Sequence, residues 1–389
     1  MINWLLRIGL VVTPFILAPG NNDIAREPKM AWALCFALAI GLTALYQGLL
    51  KPFRNKWALV LVGFCLLSFY LSPNPGLKLF GIDSGRFWSW EGLYQGIVFL
   101  IFVVTVASIE FTKKEINTFL DIMVWCGLAM GVLITLQFLH LDQFFEQRYG
   151  TYGHMAGTLG NPTLVGPLLG MVVPLALYRK KYLFAVIMAV ATLLTRSDVA
   201  MAGLVMMLMA YVALKSRRLF IVMSVLLVLG VASVGYLYTS YPQVREQLPD
   251  NEGFLTWRQS VGDLKTPVMQ SSKKIYAISG IGTGSFKYLF HAKHNAKNDN
   301  FLYAHNDYVQ VLYELGVVGF FLFMAMLWQM LKDKVRIGKL SNKRRALASS
   351  FVCLATCAMG TFVFQIGTHI FYGLVVVGLL YNKGIDENV

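Results

Sequence analysis

YAHNDYVQVLYELGVVGFFLFMAMLWQML, residues 303–331, decides how the rest of the chain is read. A short polar head, Tyr303 to Asp307, runs directly into an apolar stretch long enough to cross a bilayer, which needs about 20 residues. His305 therefore stands where a membrane helix meets an aqueous loop. Asp307, Gln310 and Glu314 follow at spacings of three and four, which puts them in one stripe on one helix face. An acid inside a membrane helix is costly, so Glu314 is expected to face the bundle interior or a wet cavity. A titratable group at the mouth of such a stripe suits acid/base chemistry. The competing reading is an interfacial histidine beside a helix cap.

Working outward, apolar runs of similar length recur along nearly the whole chain. The 389 residues are 57% hydrophobic and 14% charged, with a mean hydropathy of +0.59. Soluble domains carry about a quarter charged residues. The runs are too long, and too little alternating, for the strands of a membrane barrel. The expectation is an all-α, polytopic transmembrane bundle of about twelve spans: 3–18, 30–50, 57–72, 92–109, 118–139, 159–178, 182–195, 199–214, 219–239, 308–331, 346–366 and 369–382. Arg7 and the apolar residues around it could pass for a signal peptide. Pro19-Gly20 follows instead of a small-residue cleavage site, so this run is read as a retained first helix.

The net charge of +14 invites a nucleic-acid reading, which the positions of the charges argue against. One set of loops carries eighteen basic residues: Lys51, Arg54, Lys56, Lys113, Lys114, the trio at 179–181, Lys215, Arg217, Arg218, and seven between Lys332 and Arg345. The alternate short loops carry six, namely Arg26, Lys29, Lys78, Arg86, Arg148 and Arg196. The positive-inside rule makes the first set and both termini cytoplasmic. Three units follow: 1–239 with nine spans, an extracytoplasmic loop at 240–307, and 308–389 with three spans and a cytoplasmic tail. The five cysteines lie in apolar runs without ligand spacing, so neither disulfides nor zinc are expected. His140, His154, His291, His294 and His369 show no ligand pattern either.

His305, Asn161, Arg86, Arg196 and Arg258 all fall on the outer side of this topology. In Gly157-Thr158-Leu159-Gly160-Asn161-Pro162, Asn161 suits a helix N-cap and Pro162 the first helical position. Such a helix start offers free amides to an anion, or is simply structural. Arg258, in Thr256-Trp257-Arg258-Gln259, is a candidate phosphate clamp or a solvated loop arginine. Ile278-Ser279-Gly280-Ile281-Gly282-Thr283-Gly284-Ser285-Phe286 lacks the lysine of a nucleotide loop and reads as a tight turn, with a place beside the site open to it. Lys273, Lys274, Lys287, Lys293 and Lys297 make a basic face that an anionic lipid substrate would also favour. Trp88 and Trp90 are ordinary interface anchors, and Arg86 beside them could meet lipid phosphate or substrate.

Taken in order, GTLGNPTLVGPLLGMVVPLAL (157–177), LLTRSDVAMAGLV (193–205), TWRQS (256–260), SGIGTGSF (279–286) and HNDYVQVLYELGVVGFFLF (305–323) resemble the O-antigen ligase/polymerase superfamily of bacterial membrane glycosyltransferases. The resemblance implies a GT-C-like helical fold in the bacterial inner membrane. It implies a glycan donor on undecaprenyl pyrophosphate and a lipid A-core or glycan acceptor, with no metal and no cofactor. It maps the family histidine onto His305 and the family loop arginine onto Arg258. Arg196, Arg86, Asn161, Asn306 and Glu314 are then candidate substrate contacts. One departure stands out: where the family has Ser-Arg-Gly, this chain has Arg196-Ser197-Asp198. A polymerase is the nearest alternative, and a non-catalytic transporter of lipid-linked glycans is one from another class, though the repeat symmetry usual in transporters is not evident.

Overall fold

The structure is a computed structural model that describes residues 1–17, 26–51, 56–71, 93–142, 155–240, 278–280, 282, 286, 304–334, 340–382 and 385. Among them are twelve α-helices: α1 Ile2–Phe15, α2 Arg26–Tyr46, α3 Lys56–Leu71, α4 Leu93–Ser108, α5 Lys113–Phe138, α6 Pro162–Tyr178, α7 Tyr182–Leu194, α8 Asp198–Ala213, α9 Arg217–Ser240, α10 Asp307–Lys334, α11 Asn342–Cys357 and α12 Gly367–Tyr381. They follow the expected runs one for one. Short 3-10 turns occupy Gly157–Leu159 and Val363–Gln365.

Local chemistry sets many of the boundaries. Thr112 and Glu115 form a capping box at the start of α5, with the Glu115 amide donating to the Thr112 hydroxyl at 3.3 Å and the Thr112 amide to the Glu115 carboxylate at 2.8 Å. Ser197 and Ser341 cap α8 and α11 with their hydroxyls, which accept the amides of Ala200 and Arg344. Lys180 and His140 end α6 and α5 in the left-handed region, and the amide after each reaches back to a carbonyl five residues earlier.

The core is built around α6, which is buried without interruption from Leu164 to Ala176 and packs against α5, α7, α8 and α11. Apolar on every side, it is a central helix. Its interior prolines, Pro167 and Pro174, are of the kind tolerated in membrane helices. Small residues bring the helices close: a Cβ on Gly166 would lie 2.3 Å from that of Ala200, so α6 and α8 touch almost backbone to backbone. α12 packs on α1, α2, α4 and α11, and α10 packs mainly on α3. α9 packs on α8 and leaves Ile221, Val225 and Val228 exposed. Leu183, Val186, Val190 and Leu193 make an exposed apolar stripe along α7. Surfaces of this kind are unfavourable in water and at ease against lipid.

Three helices, Glu27–Tyr46, Lys113–Phe138 and Asp307–Gln329, are long and apolar enough to cross a membrane. Seven more apolar helices run 10–17 residues. At 1.5 Å per residue even the longest of these covers roughly 25 Å, a little less than a ~30 Å hydrocarbon core.

Contacts sort the helix ends into two groups. At one end Lys51 pairs with Glu110 at 2.6 Å. There Arg179 grips Asp121 through two bonds of 2.9 and 2.7 Å, and Lys181 adds a third at 3.0 Å. Asn3 bonds Glu115, and Arg345 lies over the Tyr211 ring. At the other end the Thr368 hydroxyl donates to Thr13 at 2.9 Å and the Thr158 hydroxyl to Pro14 at 2.6 Å. Loops that alternate in sequence thus alternate in space, and the basic ones share an end.

Two expectations are corrected. The span expected at 346–366 is helical only to Cys357, and residues 358–366 form a turn and the second 3-10 segment. Asp307 and Asn306 bond to carbonyls and amides of this connection, which a continuous helix would have consumed. Lys29, counted among loop charges, is fully buried on α2, where its ammonium donates to the Ile16 carbonyl at 2.6 Å.

Candidate functional site

The non-basic end holds the expected site residues that the structure describes. Asn306 is the N-cap of α10: its Oδ1 accepts the amides of Tyr308 and Val309 at 3.0 and 3.1 Å. Its Nδ2 donates to the Met359 carbonyl at 2.7 Å. The Asp307 amide donates to Ala358 at 2.9 Å, and the Asp307 carboxylate accepts the Phe364 amide at 2.9 Å. The Tyr308 hydroxyl donates to Ala355 at 2.9 Å. The head of α10 is thus sewn to the end of α11 and the α11–α12 connection by four bonds between residues far apart in sequence.

His305 precedes the cap with φ +50°. His140, Lys180 and Arg196 also have positive φ, but each sits just past a helix end, where that conformation is routine. His305 is the exception, since it lies before a helix. A non-glycine residue held there by its surroundings marks a place where the fold dictates side-chain direction. Its half-buried ring stands edge-on to Phe362, with centroids 5.1 Å apart and planes at 85°. Below it, Asp307 Oδ1, Gln310 Oε1 and Thr361 Oγ1 are buried with no hydrogen-bond partner among the described residues. Each can accept a hydrogen bond from a hydroxyl or a water.

Arg196 is exposed, in the turn between α7 and α8. Val199, three residues on, packs against Gly360 of the α11–α12 connection, and Cys357 Sγ lies 3.6 Å from the Val199 carbonyl. The Arg196 turn therefore adjoins the same connection that holds His305. Asn161 caps α6, its Oδ1 accepting the Thr163 amide at 2.8 Å and the Thr163 hydroxyl at 2.7 Å. Near its start α6 meets Thr195 and Ala200 through Gly166, and buried His369 of α12 donates its Nε2 proton to the Leu164 carbonyl at 2.8 Å. His305, Asn306, Arg196 and Asn161 are thus brought to one end of the bundle. Arg86 and Arg258, with Trp88, Trp90 and the loop lysines, lie outside the described residues.

Glu314 is buried, as expected, and its partners come from the large loop as well as from its own helix. Its carboxylate accepts Gln310 Nε2 at 3.2 Å and the Phe286 amide at 3.4 Å. The Gly282 amide donates to the Glu314 carbonyl at 2.7 Å. α10 is broken just beyond, at Gly316 with φ 67° and ψ −173°, a conformation essentially confined to glycine. Into that break fits Gly280, where a Cβ would lie 2.1 Å from the Glu314 carbonyl oxygen. The described residues of the Gly-rich stretch, Ser279, Gly280, Gly282 and Phe286, dock on α10 and α3. Neither this junction nor Phe362 as the neighbour of His305 is legible along the chain. The only hint was glycine at 280 and at 316.

Residues 183–324 match the family model described as O-Antigen ligase.

That segment runs from α7 through the large loop into α10. It contains Arg196, Arg258, His305, Asn306 and Glu314, while Arg86 and Asn161 lie before it. The resemblance first carried by the motifs is supported there by an independent comparison. No curated protein matches the chain. The matched segment is thus similar to an O-antigen ligase, and the described residues are helical with apolar outer surfaces.

Proposed function

We propose that this protein transfers a glycan from undecaprenyl pyrophosphate to an acceptor sugar at the outer face of the bacterial cytoplasmic membrane, as an O-antigen ligase does. In this reading all twelve helices cross the bilayer, some of them tilted or short, and both termini are cytoplasmic. The observation that carries it is His305, held in a left-handed conformation at the head of α10 inside the segment that matches the family.

The chemistry asks little else of the protein. A glycosyl pyrophosphate is already activated, so catalysis needs positioning and neutralisation of the leaving diphosphate. Arg258 is the proposed clamp, with Arg196, Arg86 and the α6 N-terminus behind Asn161 as further contacts for donor or lipid. His305 takes the proton of the attacking hydroxyl, or orients that hydroxyl, in a single inverting displacement. Arginines stand in for a metal. Asn306 supports His305 by capping α10. Both its amide atoms are committed to backbone, so its contribution to substrate is through the backbone it fixes.

Ligase and polymerase differ in the acceptor, a lipid A-core sugar or the growing glycan. Lipopolysaccharide electrophoresis of a deletion strain separates them: loss of all ladder bands marks a ligase, and a single-repeat band marks a polymerase. An unchanged ladder, or purified protein that transfers no glycan from a lipid-linked donor, overturns the reading in favour of transport or a structural role.

A further inference from the structure

The large loop returns to the bundle before it reaches His305, and the place where it lands is specific. Ser279, Gly280, Gly282 and Phe286 meet two helices at once. The Ser68 hydroxyl of α3 donates to the Ser279 carbonyl at 2.8 Å, and both residues are buried. The amides of Gly282 and Phe286 donate to the backbone and side chain of Glu314. The Phe286 ring, fully buried, stands edge-on to Tyr313 at 5.1 Å. A helix that gives up its own continuity at Gly316 to receive these groups has been shaped around them. Broken backbone at membrane depth is tolerated where protein re-satisfies its polar groups, and the Gly282 bond does this for the Glu314 carbonyl.

We propose that Glu314 is a positioning residue that seats the loop's returning limb on α10, and so holds the loop and His305 in one frame. This rests on the glycosyl-transfer reading above. Phe286 is seated on α10 by Glu314, and Ala304 is buried just ahead of the same helix. The seat needs a hydrogen-bond acceptor for the Phe286 amide, and a negative charge is not required for that. Gln310 strengthens the point: its Oε1 is buried without a partner among the described residues, and a carboxamide at position 314 carries a donor that could fill the vacancy.

Glutamine at 314 should therefore work and alanine should not. The test combines amide hydrogen exchange over residues 282–286 with transfer kinetics, on full-length protein in detergent or nanodiscs. Wild type and Glu314→Gln are expected to protect the Phe286 amide alike, and Glu314→Ala to lose about tenfold or more of that protection. In transfer from a synthetic undecaprenyl-pyrophosphate-linked glycan, Glu314→Ala loses about tenfold in kcat/KM, mainly through a raised donor KM, and Glu314→Gln rescues most of that loss. The proposal is overturned if Glu314→Gln is as inactive as Glu314→Ala, because the charge itself is then needed. Unchanged Phe286 exchange in Glu314→Ala overturns it too, as does lost protection with normal transfer. If the wild type transfers nothing, the glycosyl-transfer reading has failed, and the exchange data alone still decide whether Glu314 seats the loop.

Discussion

The ring of His305 stands edge-on to Phe362, 5.1 Å between centroids, although 57 residues separate them in the chain. Phe362 belongs to the connection that also binds Asn306 and Asp307, so one structural unit fixes both the backbone and the ring of the proposed base. His305→Ala is expected to lower glycan transfer by about 10²-fold or more while the protein stays folded and inserted. Phe362→Leu keeps an apolar group there but removes the ring edge, and a smaller loss of roughly 3- to 10-fold is expected from an aromatic contact of about 0.5–1.5 kcal/mol. Complementation and in vitro transfer check both. Wild-type transfer by His305→Ala at normal expression leaves the histidine with an interfacial role only.

Asn306 offers a separate measure of how far the α10 head depends on its cap. Asn306→Ala removes the acceptor for two amides and the donor to Met359. Loss of an N-cap costs about 0.5–2 kcal/mol. A lower thermal midpoint in detergent is expected, with Asn306→Ser recovering part of it because serine can still cap. A midpoint unchanged in Asn306→Ala would show that the cap contributes nothing.

Gly316 tolerates no side chain. A Cβ there would sit 2.5 Å from the Gly280 nitrogen, on backbone that alanine rarely adopts. Gly316→Ala is expected to destabilise by more than about 2 kcal/mol, combining backbone strain with expulsion of the docked loop. Gly230→Ala on α9 is the control: nothing lies within 4 Å of the added carbon, and a small gain of helix propensity is expected. Yields and melting midpoints of the two variants should diverge, and equal behaviour would argue against the break in α10.

The donor side is tested through Arg258. Guanidinium binds two phosphate oxygens at once where lysine offers a point charge. Arg258→Lys should be markedly impaired and Arg258→Ala worse, by about 10- to 150-fold for a lost charged hydrogen bond acting in the transition state. The defect should persist at saturating acceptor. EDTA should leave the purified wild type active. Loss of activity with EDTA, or normal transfer by Arg258→Lys, overturns the arginine clamp even if the enzyme is a ligase.

The proposed orientation rests on the basic residues that share one end of the bundle. Alkaline phosphatase fused at Gln270 should be active and at Val389 inactive. The reverse pattern would turn the molecule over and move the proposed site to the cytoplasmic face.

Much of this protein was legible in its sequence because the signals are local. A run of apolar residues makes a helix wherever it stands in the fold, and Asn161-Pro162 caps α6 through atoms two residues apart. The alternation of basic and non-basic loops also foretold which helix ends gather together. His305 and Asn306 were found as a polar head on an apolar run, and the cap geometry followed. Contacts at long range were not legible. The apolar run 346–366 looks continuous, yet the head of α10 takes up hydrogen-bonding groups in its second half, and the helix stops at Cys357. Lys29 reads as a loop charge until Ile16, thirteen residues earlier, supplies a buried carbonyl. The run through Gly316 reads as one span because glycine alone does not end a helix. What breaks it is Gly280, 36 residues earlier, packed against a backbone that opens to receive it. Hydropathy and capping act between neighbours and can be read along the chain, whereas which distant backbone fills a gap is decided only when the helices pack.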